Sequence, residues 1–134
     1  MIISRELDYA LRIIRNLSET ELVAATELEQ KENIPVAYVR KIVRKLSEAG
    51  IVEITRGVRG GYLLRKSWQE LTIWSVSVAL EESIYMNECL EPGYQCNSSN
   101  QGNCGIHREC LRIQSCLEQE MSKASLAELF APSC

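Results

Sequence analysis

The sequence from Glu48 to Leu64, EAGIVEITRGVRGGYLL, predicts a β-hairpin with a glycine-rich tip. Residues 51–55 and 62–64 are rich in the β-branched, aliphatic and aromatic side chains that favour strands. Glycine occupies three of the six positions between them and supplies the positive φ angles that a tight turn requires. Arg56 and Arg59 lie in this tip, where there is no hydrophobic core for them to pack against, so we expect both to contact a partner.

Three helices are predicted upstream of the hairpin. Ser4 is a suitable N-cap for the first, whose apolar stripe consists of Leu7, Ala10, Leu11, Ile14 and Leu17. The second covers 25–32 and ends at Asn33, which tolerates left-handed backbone. Gly50 ends the third, whose buried face consists of Val39, Ile42, Val43 and Leu46. Three helices followed by a hairpin predict a winged helix-turn-helix.

The third helix leaves a basic face exposed, formed by Tyr38, Arg40, Lys41, Arg44 and Lys45. Although the formal net charge of the chain is −3, residues 36–66 hold eight Lys or Arg against two Glu, which favours a polyanionic partner. This helix is expected to enter the major groove of double-stranded DNA, and the hairpin tip the minor groove. The predicted DNA contacts are Tyr38, Arg40, Lys41, Arg44, Arg56, Arg59 and Gly60. A protein–protein interaction module is the alternative use of this architecture.

The second half of the chain is acidic, with nine Glu against three Lys or Arg in residues 67–134. Thr72 is a suitable cap for a fourth helix, whose inward side chains are Ile73, Val76, Ala79 and Leu80. An irregular loop over 87–103 precedes a helix from about Ile106 to Met121, with Leu111, Gln114, Leu117 and Met121 on one face. Ser125 and Glu128 form a predicted capping box. The expected fold is therefore mainly α with one small β-hairpin.

Five of the six cysteines and the single histidine are clustered in the order Cys89-x6-Cys96-x7-Cys104-x2-His107-x2-Cys110-x5-Cys116. Thiolates with one imidazole form a ligand set for an iron–sulfur cluster or for zinc. Zinc sites favour ligands about two to four residues apart, and only the intervals on either side of His107 satisfy that rule. The sequence has no leader-like N-terminus and no apolar run of about 18 residues. We therefore expect a cytoplasmic protein with reduced thiols and no membrane partner.

The hairpin sequence, the opening Leu7-Asp8-Tyr9-Ala10-Leu11-Arg12 and the late Ser125-Leu126-Ala127-Glu128-Leu129 together resemble one family. It is the bacterial winged-helix iron–sulfur transcription regulator family that includes IscR and NsrR, and the resemblance extends over nearly the whole chain. It implies a homodimeric repressor or regulator of transcription that senses iron, redox or nitric oxide status. It also implies a winged helix-turn-helix DNA-binding domain at 1–66 and a cluster-binding loop with dimerisation helices at 67–134.

The resemblance also implies a ligand set for a 2Fe–2S or 4Fe–4S cluster. Cys89, Cys96 and Cys104 match the three loop cysteines of the family, although the intervals of six and seven residues are longer than usual. His107 matches the fourth ligand of the IscR branch, and Asp8 matches the acidic residue that the partner subunit supplies in the NsrR branch. Cys110, one helical turn beyond His107, is a third candidate. We favour His107, because its spacing from Cys104 is local.

Two further interpretations use the same thiols without a cluster. Cys104 and Cys110 would form a redox-active pair in a metal-free regulator, or the site would hold zinc. A redox enzyme is disfavoured, since the sequence has no CxxC motif, no nucleotide-binding loop and no nucleophile beside a general base. Cys116 is expected to be buried as a small apolar side chain, and Cys134 is assigned no role.

Overall fold

The computed structural model describes residues 2–132 and consists of helices around one β-hairpin. The α-helices and strands are α1 (Arg5–Arg15), α2 (Ala25–Glu32), α3 (Val36–Glu48), β1 (Val52–Thr55), β2 (Gly61–Leu64), α4 (Ile73–Ala79), α5 (Gly105–Met121) and α6 (Leu126–Phe130). Short 3-10 turns lie at Trp68–Glu70 and Glu88–Leu90. The predicted fold class, mainly α with a small hairpin, is confirmed. Cys134 lies outside the described residues.

The three predicted helices α1, α2 and α3 pack on one another and form a unit that is called the head below. The Ser4 hydroxyl caps α1 by accepting a hydrogen bond from the Leu7 N–H at 3.0 Å, and Asn33 ends α2 with φ 55°. The predicted buried face of α3 is confirmed. In α1, however, Ile13 is fully buried while Leu11 is only partly buried, so the predicted stripe is partly wrong. The reason is that α2, α3 and α4 all pack on α1 and cover more than one stripe of it.

The wing is an antiparallel pair in which Val52 lies opposite Leu64 and Thr55 opposite Gly61. A Cβ atom at Gly60 would clash with the backbone oxygen of Thr55, and Gly57 has φ +110°. The tip therefore requires its glycines for close backbone approach and for a conformation that other residues rarely adopt.

Residues around α4 and α6, which flank the cysteine loop (residues 87–103) and α5, share the core of the head. Leu71, Val76, Leu80 and Leu126 are buried together with the apolar side chains of α1 and α3. The Trp68 indole donates a hydrogen bond to the Ile14 carbonyl at 3.1 Å and packs edge-on against Phe130 at 5.2 Å between ring centroids. The predicted cap at Thr72 and the predicted capping box at Ser125 are confirmed, and Thr72 also forms a capping box. The segments before and after the cysteine loop are thereby both packed against the head.

Helix α5 packs through most of the predicted face, except that Cys110 takes the place of Leu111. Its inward side chains are Cys110, Gln114, Leu117 and Met121, whereas Leu111 is 48% exposed. Cys116 is also exposed, so its predicted burial is wrong. It lies two residues beyond Gln114, about 200° around the helix, and therefore points away from the core. Within residues 2–132, no helix is both long and apolar enough to cross a membrane.

Candidate DNA interface and metal centre

The exposed face of α3 presents most of the predicted DNA contacts together. Arg40, Lys41 and Arg44 are exposed and line one shallow groove, and Tyr38 is 46% exposed near the start of the helix. Arg44 forms a weak ion pair with Glu48 at 3.4 Å, one turn along the helix, where both side chains are largely solvated. Such a pair, like that of Lys41 with Glu6 at 3.6 Å, is easily exchanged for a phosphate, so this face is suited to a polyanion.

Lys45 lines the same groove, but the prediction that it faces freely outward is partly wrong. Its side chain is only 33% exposed, and Nζ lies 2.6 Å from Glu6 Oε1, with ion-pair rather than hydrogen-bond geometry. The same ammonium donates to the Leu80 carbonyl at 3.4 Å. Lys45 therefore fixes α3 to α1 and to the C-terminal end of α4. A helical wheel could not find this role, because Glu6 and Leu80 come from distant parts of the sequence.

The tip of the wing lies fully in solvent. Arg56 and Arg59 are exposed, and Val58 between them is completely exposed. In the described part of the chain, neither arginine takes part in an ion pair. Gly60 is partly buried beneath them and shapes the turn. Two uncompensated guanidinium groups on a narrow tip are suited to phosphates or to the minor groove.

Asp8, the candidate ligand for a partner subunit's cluster, is exposed on α1. Its carboxylate pairs with Arg12 at 3.2 Å. The Arg12 guanidinium also lies 5.5 Å from the centre of the Tyr9 ring, and Tyr9 packs edge-on against Tyr38 at 6.0 Å. Asp8 is thus accessible to a second chain, but it would have to leave Arg12 in order to bind a metal.

The cysteine loop brings Cys89 and His107 into direct contact. Nδ1 of His107 lies 3.4 Å from Sγ of Cys89, although the two residues are 18 positions apart. Cys104 is the N-cap residue of α5, which places His107 in the first turn of the helix and Cys110 one turn further along. The Asn87 amide donates to Sγ of Cys110 at 4.0 Å, which ties the start of the loop to the same helix.

Three other thiols lie near enough to Cys89 to affect its pKa. The pKa of the Cys89 thiol is raised by partial desolvation and then by the neighbouring thiols of Cys110, Cys104 and Cys96, in that order. Cys110 is buried, at 7% exposure, and the other three are partly buried. Within residues 2–132, no group of three His, Cys, Asp or Glu side chains is yet close enough to hold a single metal ion. The structure therefore gathers the donors around Cys89 without bringing them to one point.

Gln114 is a residue of this region whose role the sequence did not reveal. It is 5% exposed, and its amide contacts the backbone of the segment that leads into the loop. The only signal in the sequence was a polar residue on the apolar face of a predicted helix. A buried amide needs hydrogen-bond partners, and that requirement alone does not say where they come from.

A family profile described as "Rrf2: Iron-dependent Transcriptional regulator" matches residues 3–132. The chain belongs to the Rrf2 family. The match covers nearly every residue that the structure describes, so the Rrf2 assignment applies to the head, the cysteine loop and α5 alike. It confirms the predicted family and the prediction of a transcription regulator rather than an enzyme.

Individual Rrf2 relatives agree with this assignment. The chain is 25% identical to a putative HTH-type transcriptional regulator of Aquifex aeolicus, over 96% of this chain and 91% of the relative. It is 31% identical to the HTH-type transcriptional regulator IscR of Klebsiella pneumoniae, over 65% of this chain and 50% of the relative. The solved structure of CymR, the global cysteine regulator of B. subtilis, superposes with a TM-score of 0.73 at 23% identity, covering 96% of this chain and 95% of that one. This likeness confirms the winged-helix fold.

Proposed function

We propose that this Rrf2 protein is a homodimeric DNA-binding regulator whose affinity for its operator is controlled by an iron–sulfur cluster. The ligands are Cys89, Cys96, Cys104 and His107. The observation that carries this proposal is the 3.4 Å contact between His107 and Cys89, with the other thiols close by. The description of the family as iron-dependent supports an iron group rather than zinc.

The donor set fits such a group. Soft thiolates with one imidazole are established ligands of iron–sulfur clusters, and a cluster with several irons distributes its protein ligands among them. Donors that are gathered around Cys89 without meeting at one point are consistent with this requirement. When bound, the cluster would supply reversible one-electron chemistry and sensitivity to oxidants, nitric oxide and iron loss.

The residues of this chain determine how ligation would affect the rest of the molecule. The segment from Glu91 to Asn103 contains no helix or strand and is almost entirely exposed, so it has little apolar burial to order it. Cys104, His107 and Cys110 lie on the rigid start of α5, whereas Cys89 and Cys96 belong to the loop. Ligation would join the loop to α5 and reduce its conformational freedom. The orientation of α5, the proposed dimerisation helix, would then depend on the site.

The DNA contacts proposed for this function lie on residues 1–66. Tyr38, Arg40, Lys41 and Arg44 would contact the major groove, and Arg56 and Arg59 the minor groove or its phosphates, around the turn made by Gly60. Residues 67–134 would carry the cluster and the dimer contacts. Lys45 and the apolar contacts of α4 with the head join the two parts physically.

The test is anaerobic purification of the full chain, followed by iron and acid-labile sulfide analysis and visible absorption. The proposal expects a coloured protein with equal iron and sulfide. Cys89→Ser, Cys96→Ser and Cys104→Ser should each abolish stable binding, while Cys116→Ser, which alters an exposed thiol of α5, should not. A colourless protein with zinc, or with no metal, would refute the proposal, as would full retention of the cluster in Cys104→Ser.

A cluster-free thiol switch is the second candidate function. It is supported by the nearness of several free thiols to Cys89 and by the description of the fold neighbour CymR as a global cysteine regulator. In this version, Cys104 and Cys110 would oxidise to a disulfide, and the change would act on the start of α5. Colourless, metal-free protein whose DNA affinity falls on mild oxidation would favour this candidate.

A further inference from the structure

Helix α5 carries two side chains of types that ligate metals, and both lie near Cys89. His107 and Cys110 are three residues apart, a spacing that places side chains next to each other on one helix face. His107 touches Cys89 directly at 3.4 Å. Cys110 is buried against the start of the loop, where the Asn87 amide approaches its sulfur at 4.0 Å. Cys116, on the same helix, is exposed and takes no part in this arrangement.

The chain therefore supplies five donors where a cluster needs four. Cys89, Cys96 and Cys104 match the loop positions, which leaves one coordination position and two helix-borne candidates for it. The sulfur of Cys110 is buried beside a polar group, since the Asn87 amide approaches it at 4.0 Å. A side-chain amide that donates to sulfur is also the type of contact that tunes cluster ligands.

We propose that Cys110 is a second ligand position on α5 that exchanges with His107, so that the three loop cysteines hold the cluster with either an imidazole or a thiolate as fourth ligand. This inference rests on the proposed function. In the exchange, Cys110 loses its thiol proton and binds through sulfur, and the freed His107 ring nitrogen accepts that proton. No electron is transferred.

The exchange would make the ligand set more negative, because the bound thiolate is anionic and the neutral imidazole that it replaces is not, while the proton stays on the freed His107 ring. Replacing a thiolate ligand by imidazole raises the reduction potential of an iron–sulfur cluster. The form ligated by Cys110 should therefore have the lower potential, and the form ligated by His107 the higher one. The two residues would give one protein two sensor states with different ease of reduction.

The experiment compares five full-length proteins that are purified without oxygen: wild type, His107→Ala, Cys110→Ser, the double variant and Cys116→Ser. Iron, sulfide and visible circular dichroism are measured for each, and reduction potential where a cluster is present. Both single variants should retain the cluster with different spectra, and His107→Ala should have the lower potential. The double variant should bind iron and sulfide at least about tenfold more weakly, since it lacks both candidates. Cys116→Ser should match wild type.

Three results would overturn the inference. If His107→Ala binds as little iron and sulfide as the double variant, Cys110 cannot serve as a ligand. If Cys110→Ser binds as little iron and sulfide as the double variant, Cys110 is the sole fourth ligand and there is no exchange. If the double variant keeps a full cluster, the fourth ligand lies elsewhere, with Asp8 of the partner subunit as the first residue to test.

Separate controls test whether each variant is folded and whether the proposed function holds. Cys110→Ala is made beside Cys110→Ser, and far-ultraviolet circular dichroism must show native helix content, so that loss of iron in a folded variant is interpretable. Wild-type protein without iron and sulfide would instead refute the proposed function. The two failures are therefore distinguishable in one set of samples.

Discussion

The side-chain oxygen of Gln114 accepts a hydrogen bond from the backbone N–H of Met86 at 2.9 Å, which joins the entrance of the cysteine loop to the middle of α5. The amide nitrogen of the same side chain donates to the Ile84 carbonyl at 2.7 Å. Both ends of a buried amide are thus satisfied by the backbone of one short segment. That segment ends three residues before Cys89, so Gln114 fixes the approach to the first proposed ligand.

Gln114→Leu should lower the free energy of unfolding by about 1–3 kcal/mol, because it leaves the Met86 N–H and the Ile84 carbonyl without buried partners. Gln119→Leu is the matched control, since Gln119 lies on the same helix but is exposed. Urea denaturation of the two variants and of wild type measures the difference. Equal unfolding free energies for the two variants would show that the hydrogen bonds of Gln114 contribute nothing to stability.

Arg59→Ala should weaken binding to specific and to random duplex DNA alike. If Arg59 neutralises one phosphate, its removal should make the plot of log affinity against log salt shallower by about 0.9. Lys123→Ala, which removes an exposed cation near the C-terminal end of α5, is the control and should leave the slope unchanged. Fluorescence anisotropy titrations at several salt concentrations decide the matter, and an unaltered slope for Arg59→Ala would exclude the wing tip from the interface.

Arg40→Ala should act mainly on sequence preference. Arg40 is exposed near the start of α3, where side chains of a recognition helix reach base edges. The expected loss of binding free energy is about 1–3 kcal/mol on a preferred site selected from a randomised duplex pool, with little change on unrelated DNA. An equal loss on both duplexes would assign Arg40 to the phosphate backbone instead.

Glu32→Gln should lower the free energy of unfolding at neutral pH. It should also reduce the further loss of stability as the pH falls. Burial of Glu32 acts to raise its pKa, but hydrogen bonds from Arg15, Arg12 and Asn16 outweigh burial and lower it. Because the pKa is lower in the folded protein, the stabilisation is fully present above the unfolded value of about 4.3 and is lost as pH falls through the folded value. The gap in unfolding free energy between wild type and variant should therefore narrow below about pH 4. A gap that is constant from pH 7 to pH 3 would contradict this assignment.

Local rules predicted most of the fold. The helices, their caps at Ser4, Thr72 and Ser125, and the glycine tip depend on neighbouring residues, and the structure confirms them. The errors concern which side of a helix is buried, not where the helices and strands lie in the sequence. Periodicity places Leu111 inward and small apolar character places Cys116 inward, whereas the inward side of α5 depends on where the loop and the head meet it.

In the candidate site, too, local sequence predicted some features, while others depend on contacts between distant residues. The spacing of the cysteines predicted that they would act together, but the contact between Cys89 and His107 depends on the path of the loop back to α5. The Lys45–Glu6 pair and the burial of Gln114 also join distant positions in the sequence. Long-range polar contacts of this kind leave little trace in local pattern, because each residue alone resembles an ordinary surface side chain.

The most direct test of the account is the affinity of one protein sample for one selected operator duplex, measured before and after removal of the cluster. Anaerobic anisotropy titrations compare coloured wild-type protein, the same protein after chelation of iron, and Cys104→Ser. The account predicts that the loaded protein differs from the two cluster-free samples by at least about tenfold in Kd, a coupling of about 1.4 kcal/mol. It also predicts that the cluster-free samples agree with each other. An identical Kd for all three would contradict the claim that the cysteine site controls DNA binding.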